Sequence, residues 1–403
     1  MAWVLAGLCA GVLLGILAAR LPSSSAMRVV NAVEPVGTLF VNAIRMAVIP
    51  LVVASVIGAI TSVGDTRRLT RLGVTSLIVF VALAVVAASL TAVIALPLVR
   101  SMAIDVAAAN ALGSSNAPTE QAPAAMRWLT DLVPANPIAA AANGALLPLI
   151  VFTICFGVAL TNIGDERRVA VVNFFGGVAD AMLVLIGWVI RLAPLGVFAL
   201  AAPLAARLGV GLARAMLGYI VLAPLLTLIV LAVFVYPATC IAGRVGPRRF
   251  LRACAPAQAL AVSSRSTMAC LPAMIEASSA LGVDPPVTQF VVPLAAAMCR
   301  VGSAVGQTLA VLFAARLFNV EIGALQLVAV VFVTVLTTFT VPGIPGGSIL
   351  VMVPVLVSAG VPAEAVGVLL GADAIPDMLR TLANVTGGVS AAAIIGRVNI
   401  GDP

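Results

Sequence analysis

Apolar runs long enough to cross a bilayer recur along the first 242 residues, at 2–19, 36–62, 73–99, 145–164, 173–203 and 215–242. A hydrocarbon core about 30 Å thick needs about 20 apolar residues of helix to span it, and a barrel strand only about 10. Lipid offers no partner to an open backbone N–H or C=O, so runs of this length must form helices. The class that follows is an all-α polytopic membrane protein. Composition agrees: of 403 residues, 62% are hydrophobic and 9% charged, with a mean hydropathy of +1.21. An ordinary soluble domain carries about 25% charged residues. The first run, Met1–Ala19, lacks a basic leading segment and reads as a true first helix, not a cleaved signal.

The net charge of +7 is not a nucleic-acid signal, because the arginines are scattered among loops and helix ends. Neither lysine nor histidine occurs, so any proton carrier must be a carboxylate, a water or a group on the substrate. The six cysteines (Cys9, Cys155, Cys240, Cys254, Cys270, Cys299) lie singly in apolar surroundings, with no metal spacing and no disulfide framework. Nothing in the pattern calls for a cofactor or a metal. Arg67, Arg68 and Arg71, then Arg167 and Arg168, then Arg244, Arg248, Arg249 and Arg252 follow alternate spans. The positive-inside rule makes those loops cytoplasmic, puts the N-terminus inside and leaves the connection 101–135 outside. The expected location is the inner (plasma) membrane, crossed many times.

Past residue 250 the apolar segments are broken by polar, Gly and Pro clusters: "SSRSTMACLP" at 263–272, "FTVPGIPGGS" at 339–348 and "DAIPDMLRTLANVTGG" at 373–388. Broken segments are how transporters place polar backbone around a mid-membrane site. Asp373, Asp377, Arg380, Asn384 and Gly388 are spaced four, three, four and four apart, which aligns them on one helix face with Thr381 beside them. Ionisable residues inside a span mark function by default. The plainer alternative is that Asp377 and Arg380 neutralise one another. Arg265 and Arg300 are two further arginines within apolar segments, so the local charge leans positive and suits an anion held by planar guanidinium forks.

These segments resemble the glutamate/aspartate transporter family, the dicarboxylate/amino acid:cation symporters. "SRSTMACLP" (264–272) resembles the family's serine-rich first hairpin, and "VPGIPGGS" (341–348) the tip of its second. "GADAIPDMLRTLANVTGG" (371–388) resembles its last helix, while "IRMAVIPLV" (44–52) and "RLAPLGVFAL" (191–200) are similar to its second and fifth. The resemblance implies eight transmembrane helices plus two re-entrant hairpins in a homotrimer with an elevator-type motion. It implies a scaffold at 1–62 and 130–206. The transport unit would comprise 72–99, 214–243, the first hairpin at 250–280, the seventh helix at 284–317, the second hairpin at 322–360 and the eighth helix at 363–397. Carried onto this chain, Arg380 binds the distal carboxylate of an acidic amino acid and Asp377 its amino group. Asn384, with Ser266 and Thr267 of the first hairpin, holds the main-chain carboxylate. Arg265, Ser303 and Thr381 line the same pocket, and Ile344 and Gly346 belong to the gating tip. Asp377 favours an amino acid over a plain dicarboxylate, which has no amine to satisfy it.

The chain departs from the family at the cation sites. Where the family's seventh helix carries Asn-Met-Asp-Gly, this chain reads Cys299-Arg300-Val301-Gly302; the carboxylate after "NVTG" is Gly388; and the oxygen ligands of the third helix are Phe80, Leu83 and Ala84. Sodium is a hard ion held by oxygen ligands, and these positions have none. Arg300 is accordingly expected to be a tethered replacement for the lost cations, its guanidinium donating to backbone carbonyls in the emptied space. The alternative is that it snorkels to water and does little.

The resulting expectation is a sodium-independent transporter of aspartate or glutamate, either proton-coupled through Asp373, Asp377 or Glu276 or uncoupled. One rival is a sodium-coupled dicarboxylate or amino-acid symporter that keeps only a backbone-carbonyl sodium site, its loop altered by Pro342. Another is an anion channel. A hydrolase built on Ser266 and Asp377 would lack a general base, so no catalytic residue and no enzyme activity are expected.

Overall fold

The computed structural model describes residues 2–20, 25–61, 67–102, 133–143, 146–208, 210–341 and 346–400. Regular structure among the described residues is helical throughout. The first half comprises α1 (Ala2–Arg20), α2 (Ser25–Thr61), α3 (Arg67–Arg100), the short α4 (Pro137–Ala142), α5 (Leu146–Leu160), α6 (Asp165–Arg191) and α7 (Ala193–Leu208). The run 173–203, expected as one span, is thus divided. Pro194 has no N–H to give and its ring crowds the carbonyl four residues back, so the helix breaks at Leu192 and restarts.

The sixth apolar run is α8 (Val210–Val230), a π-helical turn at Leu231–Val235, and α9 (Tyr236–Ala242). Tyr236 N–H donates to the Leu231 carbonyl, one residue further back than in an α-helix, and Pro237 follows directly. The wider turn absorbs the donor that Pro237 lacks.

The remaining chain is α10 (Pro247–Ser264), α11 (Leu271–Ala280), α12 (Pro285–Met298), α13 (Val301–Leu317), α14 (Ala324–Thr338), α15 (Gly347–Leu350), α16 (Val353–Ser358), α17 (Ala365–Ala372) and α18 (Ala374–Ile400). α10 folds back on α11, and α14 on α16, giving two helical hairpins. The first turns at Arg265, whose left-handed backbone (φ 52°) ends α10 while its N–H still reaches the Ala261 carbonyl. α12 and α13 are one broken span, interrupted at Cys299–Arg300. α17 and α18 meet at Asp373, because Pro376 cannot donate to the carbonyl of Ala372. Five helical segments among the described residues are long and apolar enough to cross a membrane.

Packing falls into two groups, which meet where α17 lies on α1 and α7. α1 lies along α7, and α2 along α5, α6 and α7. Gly7, Gly11 and Gly15 form one stripe of α1, and a Cβ at Gly11 would sit 2.7 Å from the Phe198 carbonyl oxygen. Small residues of this kind let helices close up where lipid supplies no hydrophobic drive. The second group surrounds α18, which packs on α3, α8, α9, α10, α11, α12 and α13. Cross-helix hydrogen bonds hold it: Thr239 and Ser390 hydroxyls lie 2.6 Å apart, and Gln258 Nε2 donates to Thr386 Oγ1 at 2.9 Å. In an apolar 18-residue stretch of each span, 94% of residues are buried for Pro285–Leu317 and 78% for Ala374–Val398, against 6% for Asp165–Val189. Polar residues therefore accumulate on α13 and α18, the two helices that protein shields from lipid.

Candidate functional site

Among the described residues Arg380 is the largest fully buried side chain. Its Nη2 donates to Asp373 Oδ2 at 2.6 Å and to Asp377 Oδ1 at 2.8 Å. The pair that the helical spacing allows therefore forms, but with Asp373 as a third member, so this cluster carries an excess negative charge. Asp377 also accepts the Gly346 N–H at 3.1 Å through Oδ2, which fastens the tip of the second hairpin to α18. Gly346 adopts φ 75°, the left-handed region that favours glycine. Thr381 Oγ1 donates to the Asp377 carbonyl at 2.8 Å.

Asn384 faces the break in the seventh span. Its Oδ1 accepts the Ser303 N–H at 3.1 Å, and its Nδ2 donates to Ser303 Oγ at 3.3 Å. Ser303 is the third residue of α13, so the Asn384 side chain caps that helix from a neighbouring one. The approach is close: a Cβ on Gly302 would collide with the Arg380 carbonyl oxygen, and one on Gly306 would lie 2.7 Å from Arg380 Cδ. Only glycine at 302 lets α13 and α18 come together here.

Arg300 sits at that break with 3% of its surface exposed. Its Nη1 donates to Thr267 Oγ1 at 2.7 Å, while Nε has no hydrogen-bond partner. The guanidinium thus points at the tip of the first hairpin, not at the backbone carbonyls it was expected to meet. The space expected to be empty is filled instead. A Cβ at Gly387 would lie 2.7 Å from Val301 Cγ2 and 3.9 Å from Cys299 Sγ, and one at Gly388 would lie 2.6 Å from Met274 Cε. Phe80, Leu83 and Ala84 on α3 are buried as well. An ionic side chain finds no partner among these apolar atoms and turns to the polar side.

Arg265, Thr267, Arg300, Ser303, Ser348, Asp377, Arg380, Thr381 and Asn384, with Val341, line one cavity. Its free space, about 10 Å³ for the centre of a water, has room for about one water molecule. Arg265 Nη1 and Ser348 Oγ are buried without hydrogen-bond partners. Of the residues expected at the site, eight meet on this cavity. Ser266 lies in the adjoining turn, where its Oγ accepts the Ala269 N–H at 3.3 Å. Gly346 reaches the site through its N–H, and Ile344 and Pro342 lie outside the described residues. Two site residues lay outside that expectation. Asp373 belonged to the helical stripe, but its bond to Arg380 came only with the fold. Gln307 gave no signal beyond being polar in an apolar run; its Nε2 donates to the Ser348 carbonyl at 2.9 Å and its Oε1 accepts from Thr337 at 3.0 Å, tying the second hairpin to α13.

Two hairpins meeting at a charged, protein-shielded cavity form the frame of a solute carrier, and residues 1–398 match the Sodium:dicarboxylate symporter family. The chain belongs to that family. It is therefore a membrane transporter and not an enzyme. Curated relatives align over most of the chain. The proton/glutamate-aspartate symporter of Escherichia coli (strain K12) is 30% identical over 98% of this chain and 92% of its own. The proton/sodium-glutamate symport protein of Geobacillus stearothermophilus is 28% identical over 98% and 94%. The human neutral amino acid transporter B(0) is 28% identical over 89% and 72%.

Proposed function

We propose that this symporter-family member carries an acidic amino acid, aspartate or glutamate, across the inner membrane without sodium. The charge of Arg300 stands in for bound cations. The observation that carries this reading is the charge of the cavity. Three guanidiniums (Arg265, Arg300, Arg380) and the Asp377 carboxylate line the cavity, and Asp373 pairs with Arg380 from outside that lining, which leaves one positive charge in excess. An acidic amino acid brings two carboxylates and one ammonium and closes that balance. A neutral amino acid leaves the site positive, and a dianionic dicarboxylate leaves it negative. In this reading Arg380 and Arg300 bind the two carboxylates, and Asp377, released from Arg380, takes the ammonium.

The apolar filling around Val301, Gly387, Gly388 and Met274 supports sodium independence, since hard cations require oxygen ligands. The two packing groups support an elevator in which α1, α2 and α4–α7 stay fixed and α3 and α8–α18 move. A homotrimer is what the resemblance implies, and the exposed apolar face of α6, with Phe174 and Trp188, is open to lipid or to a second copy. The cavity is too small for an amino acid, so loading requires the hairpin tip held by Asp377 to swing away. Uptake of labelled aspartate and glutamate into proteoliposomes, with choline replacing sodium, tests the reading. Undiminished uptake in choline is expected, and a strict sodium requirement refutes it.

A second reading rests on Asp373, whose Oδ1 is buried without a hydrogen-bond partner. That oxygen is placed to take up a proton, which would couple transport to a pH gradient. Accumulation driven by an imposed gradient in the same vesicles would support it.

A further inference from the structure

Resting on that acidic-substrate reading, we infer that this chain is an exchanger: its site crosses the membrane loaded and does not return empty. With no substrate, Arg265, Arg300, Arg380 and Asp377 line one cavity between α13, α18 and the two hairpins, and Asp373, off that lining, pairs with Arg380, so the site holds three guanidiniums against two carboxylates. Arg380 bonds both aspartates in a triad that is net negative by one charge, so the positive excess of the whole site comes from Arg265 and Arg300 together. The hydrogen bond found for Arg300 goes to a neutral hydroxyl, that of Thr267, and its Nε, like Nη1 of Arg265, is buried without a partner. The nearest other acidic group on the first hairpin, Glu276, is exposed and outside the cavity.

A dissolved ion leaves when the substrate leaves, so an ordinary cation-coupled carrier discards its charge before resetting. A tethered guanidinium cannot dissociate. The empty site keeps its positive charge on every attempted return, carried across the bilayer together with the apolar atoms of Val301, Met274 and α3 that move with it. A lone guanidinium at mid-membrane is disfavoured by about 70- to 400-fold on insertion scales. A second molecule of net charge −1 removes that barrier, so the return leg runs with cargo. No covalent or redox step is involved. Both legs of the cycle are electroneutral at the site, and the partner taken from the far side belongs to the same chemical class as the cargo.

The test uses the purified full-length protein in proteoliposomes. Labelled aspartate or glutamate is offered to vesicles preloaded with the unlabelled amino acid and to vesicles without it. Initial uptake is expected to be at least about tenfold faster into preloaded vesicles. A potassium–valinomycin potential of either sign should leave that exchange rate unchanged. Arg300→Gln neutralises the empty site and makes the loaded one negative, so its preloaded-to-empty ratio is expected to fall toward one. Arg300→Lys keeps the charge and the ratio. Equal wild-type rates into both vesicle populations, or accumulation into empty vesicles driven by a pH gradient, would overturn the inference while leaving the substrate reading intact. No uptake of either amino acid into either population refutes the substrate reading, and the inference with it.

Discussion

Arg300→Met separates a binding role from a structural one, because the two predict opposite signs. Methionine has similar length, so the change removes charge with little change in packing. In the structure Arg300 is 3% exposed, makes one hydrogen bond to a neutral hydroxyl at 2.7 Å and leaves Nε unpartnered. A buried charge so poorly compensated destabilises the empty protein, and replacing buried ionic groups by apolar ones of similar volume is neutral or stabilising by about 1–4 kcal/mol. The variant should therefore melt higher, by about 2 °C or more. Substrate binding should move the other way. A hydrogen bond to a charged group contributes about 1.5–3 kcal/mol, which corresponds to about 10- to 150-fold in Kd. Thermal unfolding of detergent-purified protein followed by tryptophan fluorescence gives the first quantity, and calorimetric titration with aspartate and glutamate the second. A lower Tm with unchanged affinity would refute the reasoning and make Arg300 a structural residue.

Two further outcomes are expected. Gly302→Ala places a methyl group against the Arg380 carbonyl oxygen, backbone against backbone, so α13 must move off α18; a stability loss of about 1–3 kcal/mol and loss of uptake should appear together in melting and vesicle assays, and a variant with wild-type uptake would show that this approach is not needed. Gly388→Asp restores a carboxylate where the family's pattern has one, but its Cβ meets Met274 Cε at 2.6 Å and Ala295 Cβ at 3.4 Å; uptake by this variant should gain no sodium stimulation and its Tm should drop, since a buried unpaired carboxylate costs free energy.

The polar stripe on α18 was legible because helical periodicity is local: four residues at spacings of four, three and four must share a face wherever the helix lies. The partners of that stripe were not. Asp373 and Asp377 share Arg380 because α17 and α18 bend at Asp373, and Asn384 caps α13 because glycine at 302 lets two helices eighty residues apart in sequence touch. Arg300 shows the same limit. Its presence and its oddity were visible, but its direction depended on Met274 from the first hairpin and Val301 from its own helix occupying the other side.

Sequence alone settled what lipid dictates. Helices are the only answer to long apolar runs, and charged residues within them point to a site; prolines do not by themselves mark the breaks, since Pro50, Pro97 and Pro224 lie inside unbroken helices. Tertiary structure alone decided which charges pair, which stay unpaired and how much room is left between them. Those outcomes depend on distances of a few ångströms between segments remote along the chain, where Coulomb and packing energies change most steeply.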